Sequence, residues 1–271
     1  MISDPDIAPP SGESTKARPP EWQLLAVLAG VQFTHIMDFM VMMPLGPQFM
    51  RIFDITPVQF GLLVSSYTLT AAVAGFFAAF RLDRYDRKSA LLVLYGCFAF
   101  ATLLCALAPG YTFLLLARAT AGAFGGVLNA IIQSFIGDAI APERRGRATG
   151  TVALGFSLSA VAGVPIGLLL ANQFGWRAPF FAVAIMALIF WCAALRVLPS
   201  LRGHLTGEKR KSAVAQLRSM FGERNHRYAF LLAACLMLGG FSVIPFLSPY
   251  LVGNPGLLER QLPYVYLAGG L

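Results

Sequence analysis

The sequence predicts an all-α integral membrane protein, and three observations carry that reading. The composition is 57% hydrophobic and only 13% charged. A water-soluble domain carries roughly 45–50% apolar and about 25% charged residues, so this chain lacks the charge to cover a water-facing surface. The apolar residues fall in runs of about 20, the length that crosses a bilayer as a helix, without the alternation of barrel strands. The cations sit in the breaks between those runs. The net charge is +8, but with no basic face to gather it, nucleic acid is excluded as a partner and the lipid bilayer is the expected surroundings.

Seven runs are long enough to span. They cover about residues 22–45, 58–80, 89–108, 111–136, 147–171, 178–198 and 228–252, and an eighth begins near Leu262. Residues 1–21 are polar and rich in Pro and Ser and read as a disordered tail, with no cleavable signal evident. Residues 22–198 form a six-span bundle, 199–226 a long basic linker, and 227–271 the start of a second bundle that the chain leaves incomplete. Within the linker, Ser212–Phe221 has the pattern of an amphipathic surface helix. Seventeen of the 21 Lys and Arg residues fall on the side of the tail and linker, and three fall on the other. That bias places the N-terminus in the cytoplasm of a multi-pass protein in the plasma (bacterial inner) membrane. Cys97, Cys105, Cys192 and Cys235 all lie inside apolar runs with no ligand spacing, so they read as packing residues. No metal, cofactor or enzyme motif is apparent.

The polar residues inside the spans are the candidates for function. Arg118 lies within span 4, where a charge is costly and marks a site. Gly122, Gly126, Asn129 and Gln133 follow it at helical spacing, so small residues that admit a neighbouring helix share a face with polar ones that line a cavity. Span 1 carries Gln32, His35 and Asp38. Asp38 lies seven residues before Leu45 and Arg118 seven after Tyr111, so both sit about 10 Å in from the same edge. Equal depth predicts a buried acid–base pair. Low dielectric disfavours the ionised carboxylate and a nearby arginine favours it, and that balance suits a proton carrier, with His35 as an assistant. Gln32, Asn129 and Gln133, with the aromatics Phe33 and Tyr67, are the expected solute contacts. In span 5, Gly155, Gly163 and Gly167 share a face, and Pro165 removes a backbone hydrogen bond and bends the helix.

Several stretches resemble the major facilitator superfamily. Ala79-Phe-Arg-Leu-Asp83-Arg84-Tyr-Asp86-Arg87-Lys88 is similar to its signature loop, G-x-L-x-D-R-x-G-R-[RK], with Ala79 and Asp86 in place of the two glycines. Ala141-Pro-Glu-Arg-Arg resembles the repeat of that loop, and Arg118-Ala-Thr-Ala-Gly122 the family's R-x-x-x-G. The Asp38 segment through Pro44 and Pro47 resembles its span-1 pattern. Gly163-Val-Pro165-Ile-Gly167 resembles the antiporter motif of the drug and sugar efflux branch, and Gly175-Trp176-Arg177 its approach to span 6.

The resemblance implies the N-terminal half of such a bundle plus span 7 and the start of span 8, with the C-terminal half expected in the intact protein. It implies a cytoplasmic gate of Asp83, Arg84, Arg87, Lys88 and Asp138, in which Asp83, Arg87 and Asp138 relay charge. The implied activity is secondary active transport: proton in, small organic solute out, by alternating access, with no cofactor. A proton symporter for uptake, and a truncated binding or regulatory protein that does not transport, stay open as alternatives.

Overall fold

The computed structural model describes residues 20–201 and 221–270, apart from the side chains of Asp83 and Gly270. The tail up to residue 19, residues 212–220 of the predicted surface helix, and Leu271 lie outside the described residues.

The regular structure of the described residues is helical. The first six spans are α1 (Glu21–Val41), α3 (Pro57–Arg81), α4 (Arg87–Ala106), α5 (Tyr111–Ala139), the pair α6 (Arg145–Leu158) and α7 (Val164–Phe174), and α8 (Arg177–Val197). The seventh is α9 (Arg224–Val243) continued by α10 (Leu247–Gly253), and α11 (Leu262–Gly270) follows. Seven of these units are long and apolar enough to cross a membrane. One element escapes the hydropathy reading: α2 (Gly46–Phe53), a short helix after span 1. The Pro44 and Pro47 punctuation stops α1 but leaves room for a fresh turn, since a proline is tolerated in the first turn of a helix.

Local chemistry sets the boundaries. Thr56 caps α3 with a capping box: its hydroxyl accepts from the Gln59 N–H while Gln59 Oε1 accepts from the Thr56 N–H. Gly175 takes φ +86° between α7 and α8, a conformation that strains any residue with a Cβ. Pro165 lies in the first turn of α7, where its missing N–H is tolerated. A π-helical turn, Ser159–Gly163, joins α6 to α7 and absorbs the irregularity one turn earlier. Span 7 is interrupted by a 3₁₀ turn, Ile244–Phe246, that contains Pro245.

Two apolar clusters make the core. One, at the α2 end, gathers Phe49, Phe60, Trp176 and Phe180; the other, at the 2–3 loop end, gathers Tyr95, Phe98, Ile131 and Phe135. Between them lies a thin layer around Tyr67, Ala101 and Ala121. Large apolar side chains such as Leu69, Phe76, Leu188 and Ile189 point outward, which fits a protein whose solvent on that face is lipid.

The start of the second bundle docks on the α2 end. Phe241 packs on Phe39 with ring centroids 5.7 Å apart, and Phe246 on Phe60 at 6.4 Å. Leu262 is buried in the same cluster. Arg51 of α2 reaches Glu259 with both guanidinium nitrogens, at 2.5 and 3.1 Å. By contrast α9 buries none of its residues. The two parts therefore meet at the α2 end.

The contact of α3 with α5 depends on glycine. A Cβ on Gly122 would stand 2.2 Å from the Tyr67 carbonyl oxygen, and one on Gly126 would stand 2.5 Å from Ala71 Cα. Gly122→Ala should therefore cost about 1–3 kcal/mol by forcing backbone apart. Gly137→Ala, with nothing within 4 Å, should be neutral or slightly stabilising. Thermal unfolding of the two variants in detergent checks the contrast.

Candidate functional site

The polar layer between the two apolar clusters holds an ion pair. Asp38 of α1 and Arg118 of α5 are each 0% exposed. Arg118 Nη1 donates to Asp38 Oδ2 at 2.7 Å and also lies 3.3 Å from the Asp38 carbonyl oxygen. The guanidinium carbon stands 4.6 Å from the centre of the Tyr67 ring, a cation–π contact strengthened by the burial of both groups. Cys105 and Thr102 of α4 stand beside the pair. Among the described residues, four polar atoms here have no hydrogen-bond partner: Asp38 Oδ1, Arg118 Nε, Tyr67 Oη and Thr102 Oγ1. Burying charge in this way is costly unless the pair is fully satisfied, and this pair is not.

Glycines bring the parts together. A Cβ on Gly125 would fall 2.3 Å from Tyr67 Oη, so Gly122 and Gly125 together seat Tyr67 over Arg118. On the other side of α1, Gly155, Gly163 and Gly167 face Ala29, Met37 and Val41, and a Cβ on Gly155 would stand 2.5 Å from the Ala29 carbonyl oxygen. Ser159, inside the π-helical turn, donates to the Phe33 carbonyl or to its own Gly155 carbonyl, each at 2.8 Å. Thr34 meets Tyr95 hydroxyl to hydroxyl at 2.7 Å. Span 1 is thus gripped along its length, and Asp38 has little freedom to turn away.

The other candidates are placed as follows. His35 is buried but turns back on its own helix, with Nδ1 3.4 Å from the Val31 carbonyl oxygen. It makes no hydrogen bond to Asp38. Gln32 is 8% exposed, with Oε1 unpartnered, and Phe33 is half-buried. Asn129 and Gln133 are exposed on α5 toward the 2–3 loop end, and Thr149 lies 3.4 Å from Gln133. Tyr67, expected among the cavity aromatics, is 5% exposed and belongs to the buried pair instead. Its apolar ring is better placed against a guanidinium than against water.

At the 2–3 loop, Arg87 is 3% exposed and its Nε donates to Asp138 Oδ2 at 2.8 Å. Lys88 donates to the Leu195 carbonyl at 2.8 Å, and Arg84 is exposed. Arg145 closes the end of α5 by donating to the Ile140 and Gly137 carbonyls at 3.0 and 2.6 Å. Asp86 does more than fill a turn. Its Oδ2 accepts from the Ser89 N–H and hydroxyl at 3.1 and 3.0 Å, and its Oδ1 accepts from the Ser200 hydroxyl and the Leu201 N–H at 2.9 and 2.8 Å. Burial works against its charge, but these four bonds outweigh it and hold the carboxyl below the usual range. One residue thus caps α4 and ties down the first residues of the linker.

Comparison with known proteins decides the family. The model for the Major Facilitator Superfamily matches residues 28–271. The chain belongs to that superfamily. Among curated relatives, the uncharacterised MFS-type transporters YbcL and YceJ of Bacillus subtilis (strain 168) are 27% and 28% identical. The matches cover 92% and 89% of this chain but 63% and 61% of those proteins. A probable sugar efflux transporter of Pasteurella multocida (strain Pm70) is 24% identical over 79% of this chain and 52% of its own length. The chain therefore spans about three-fifths of the length of such relatives.

Among solved structures, a bacterial homologue of the human lysosomal transporter Spinster, inward-facing and unoccupied, gives a TM-score of 0.76 at 20% identity, over 92% of this chain and 59% of that one. A D-xylose–proton symporter gives 0.68 at 16% identity, over 92% and 65%. At those identities the likeness shows the fold. These Major Facilitator Superfamily proteins are transporters rather than enzymes. Among the described residues, no group of three His, Cys, Asp or Glu side chains is placed to hold a metal ion.

Removing one partner of the buried pair leaves an uncompensated charge, so Arg118→Met alone should cost about 3–5 kcal/mol. The double change Asp38→Leu with Arg118→Met should recover most of that loss, as unfolding in detergent will register.

The Asp86 clasp has a pH signature. Because its folded value is lowered, its contribution is full above the ordinary aspartate value of about 4 and is lost only as pH falls through the depressed one. Amide exchange at Leu201 should stay slow down to about pH 4 and become fast at neutral pH in Asp86→Ala. Protection lost already near neutrality in the unaltered chain would contradict the clasp.

Proposed function

We propose that the chain is the N-terminal half, with the start of the second, of a transporter that exports a small organic solute in exchange for protons by alternating access. The observation that supports this most is the Asp38–Arg118 pair: wholly buried, incompletely bonded, and on the same two helices whose polar residues open toward the 2–3 loop end. A proton on Asp38 would cancel its attraction for Arg118. The guanidinium would then lean on Tyr67, and α1 and α5 would be free to shift against each other. Loss of that proton would restore the pair. Gln32, Asn129, Gln133 and Phe33 contact solute in this reading, Arg118 tunes the acid, and His35 lines the wall.

The 17-to-3 Lys and Arg bias argues that the 2–3 loop end is cytoplasmic in the plasma membrane. The parts meet at the α2 end, with Arg51–Glu259 bridging them, so this arrangement corresponds to the inward-open state. Opening to the other side would require that bridge to part and Arg84, Arg87, Lys88 and Asp138 to engage the second half. The likeness to a probable sugar efflux transporter favours export of a sugar, drug or other metabolite. The fold likeness to a D-xylose–proton symporter is the observation that keeps uptake as the second reading, since the same pair serves either direction.

The intact protein in proteoliposomes with an imposed pH gradient tests this, using a panel of sugars and lipophilic cations. Solute should move against the proton flux. Asp38→Asn should abolish the proton-driven part while solute exchange without a gradient persists. Proton-coupled flux retained in Asp38→Asn would overturn the assignment, and co-directional flux would select uptake.

A further inference from the structure

A cavity of about 750 Å³ lies outside the transport site, at the 2–3 loop end between α3, α4 and α5. Its inner walls are apolar: Phe77 from α3, Val93 and Leu94 from α4, and Phe124 from α5. At its mouth stand Arg81 and Arg84, both exposed, and neither pairs with an acid among the described residues. Asp86 also lines the cavity, but its two carboxylate oxygens are engaged by Ser89, Ser200 and Leu201, so its charge is occupied.

The shape discriminates among occupants. From Arg81 the wall runs along α3 to Ala74, seven residues or about 10 Å along the helix axis. A polar solute would gain nothing from that depth of apolar wall. An amphiphile with an anionic head and a hydrocarbon chain fits both ends, because Arg81 and Arg84 stand at the end of the apolar span α3, where a membrane-crossing helix would meet the headgroups. Cations at that level attract the headgroups of anionic lipids.

We propose that this groove is a binding site for an anionic glycerophospholipid. Its phosphate is held by Arg81 and Arg84, and one acyl chain lies between Phe77, Val93 and Phe124. The bound lipid bridges the end of α3 to the start of α4, beside the loop that carries Arg87, so it is placed to steady the gate.

Native mass spectrometry of the purified chain, delipidated and then given phosphatidylglycerol or phosphatidylcholine, tests the site. Phosphatidylglycerol should be retained preferentially. Arg81→Gln with Arg84→Gln should remove that preference, a loss of roughly tenfold or more for two such contacts. Val93→Trp, which keeps both arginines and fills the groove, should lower retention of both lipids. Circular dichroism and size-exclusion profiles matching the unaltered chain confirm that each variant is folded. Equal retention of the two lipids, or undiminished phosphatidylglycerol in the double variant, overturns the proposal. Competition by inorganic phosphate or soluble glycerophosphoglycerol as strong as by the lipid also overturns it, in favour of a simple anion site. So does retention unaffected by Val93→Trp, which would put the chain elsewhere.

Discussion

A carboxylate and a guanidinium buried together in the middle of an apolar bundle impose the constraint on which the rest depends. Asp38 and Arg118 are both wholly buried, and among the described residues Asp38 Oδ1 and Arg118 Nε have no hydrogen-bond partner. Two ions so placed gain from each other only if their geometry is held tightly. The surrounding structure does the holding. The glycines of α5 bring Tyr67 onto the flat face of the guanidinium, and those of span 5 clamp α1 so that Asp38 cannot swing away. The apolar clusters above and below keep water out. In the proposed mechanism a small chemical event, one proton on Asp38, would act on two helices at once.

Much of this was legible in the sequence, for physical reasons. Hydropathy and cation bias reveal spans because bilayer thickness fixes helix length. The pairing of Asp38 with Arg118 was legible because depth can be counted from span ends at a fixed rise per residue. The expected contact between Arg87 and Asp138 entered through family resemblance, and the structure has it at 2.8 Å.

What was not legible required knowing which face of a helix meets which neighbour. Tyr67 looked like a cavity aromatic because nothing in its flanking residues reveals that Gly122 and Gly125 admit it onto Arg118. Thr102 and Cys105 are invisible as site residues in an otherwise apolar span. The hydroxyl of Ser159 could not be assigned to the Phe33 carbonyl without the π-helical turn that aims it. α2 was missed because eight residues between two proline-marked breaks are too few for a hydropathy pattern. At Asp86 the departure from the family's glycine pointed to the right place, but the four bonds it collects from α4 and from the start of the linker are long-range and left no local trace.

Infrared difference spectroscopy on the intact protein, recorded between high and low pH, tests the proposed protonation of Asp38 directly. A protonated-carboxyl band that grows as pH falls, shifts when Tyr67 is changed to Phe and vanishes in Asp38→Asn is the predicted result. A spectrum with no carboxyl band that depends on Asp38 at any pH at which the protein is folded would show that the pair is a fixed structural bridge, and would contradict the account.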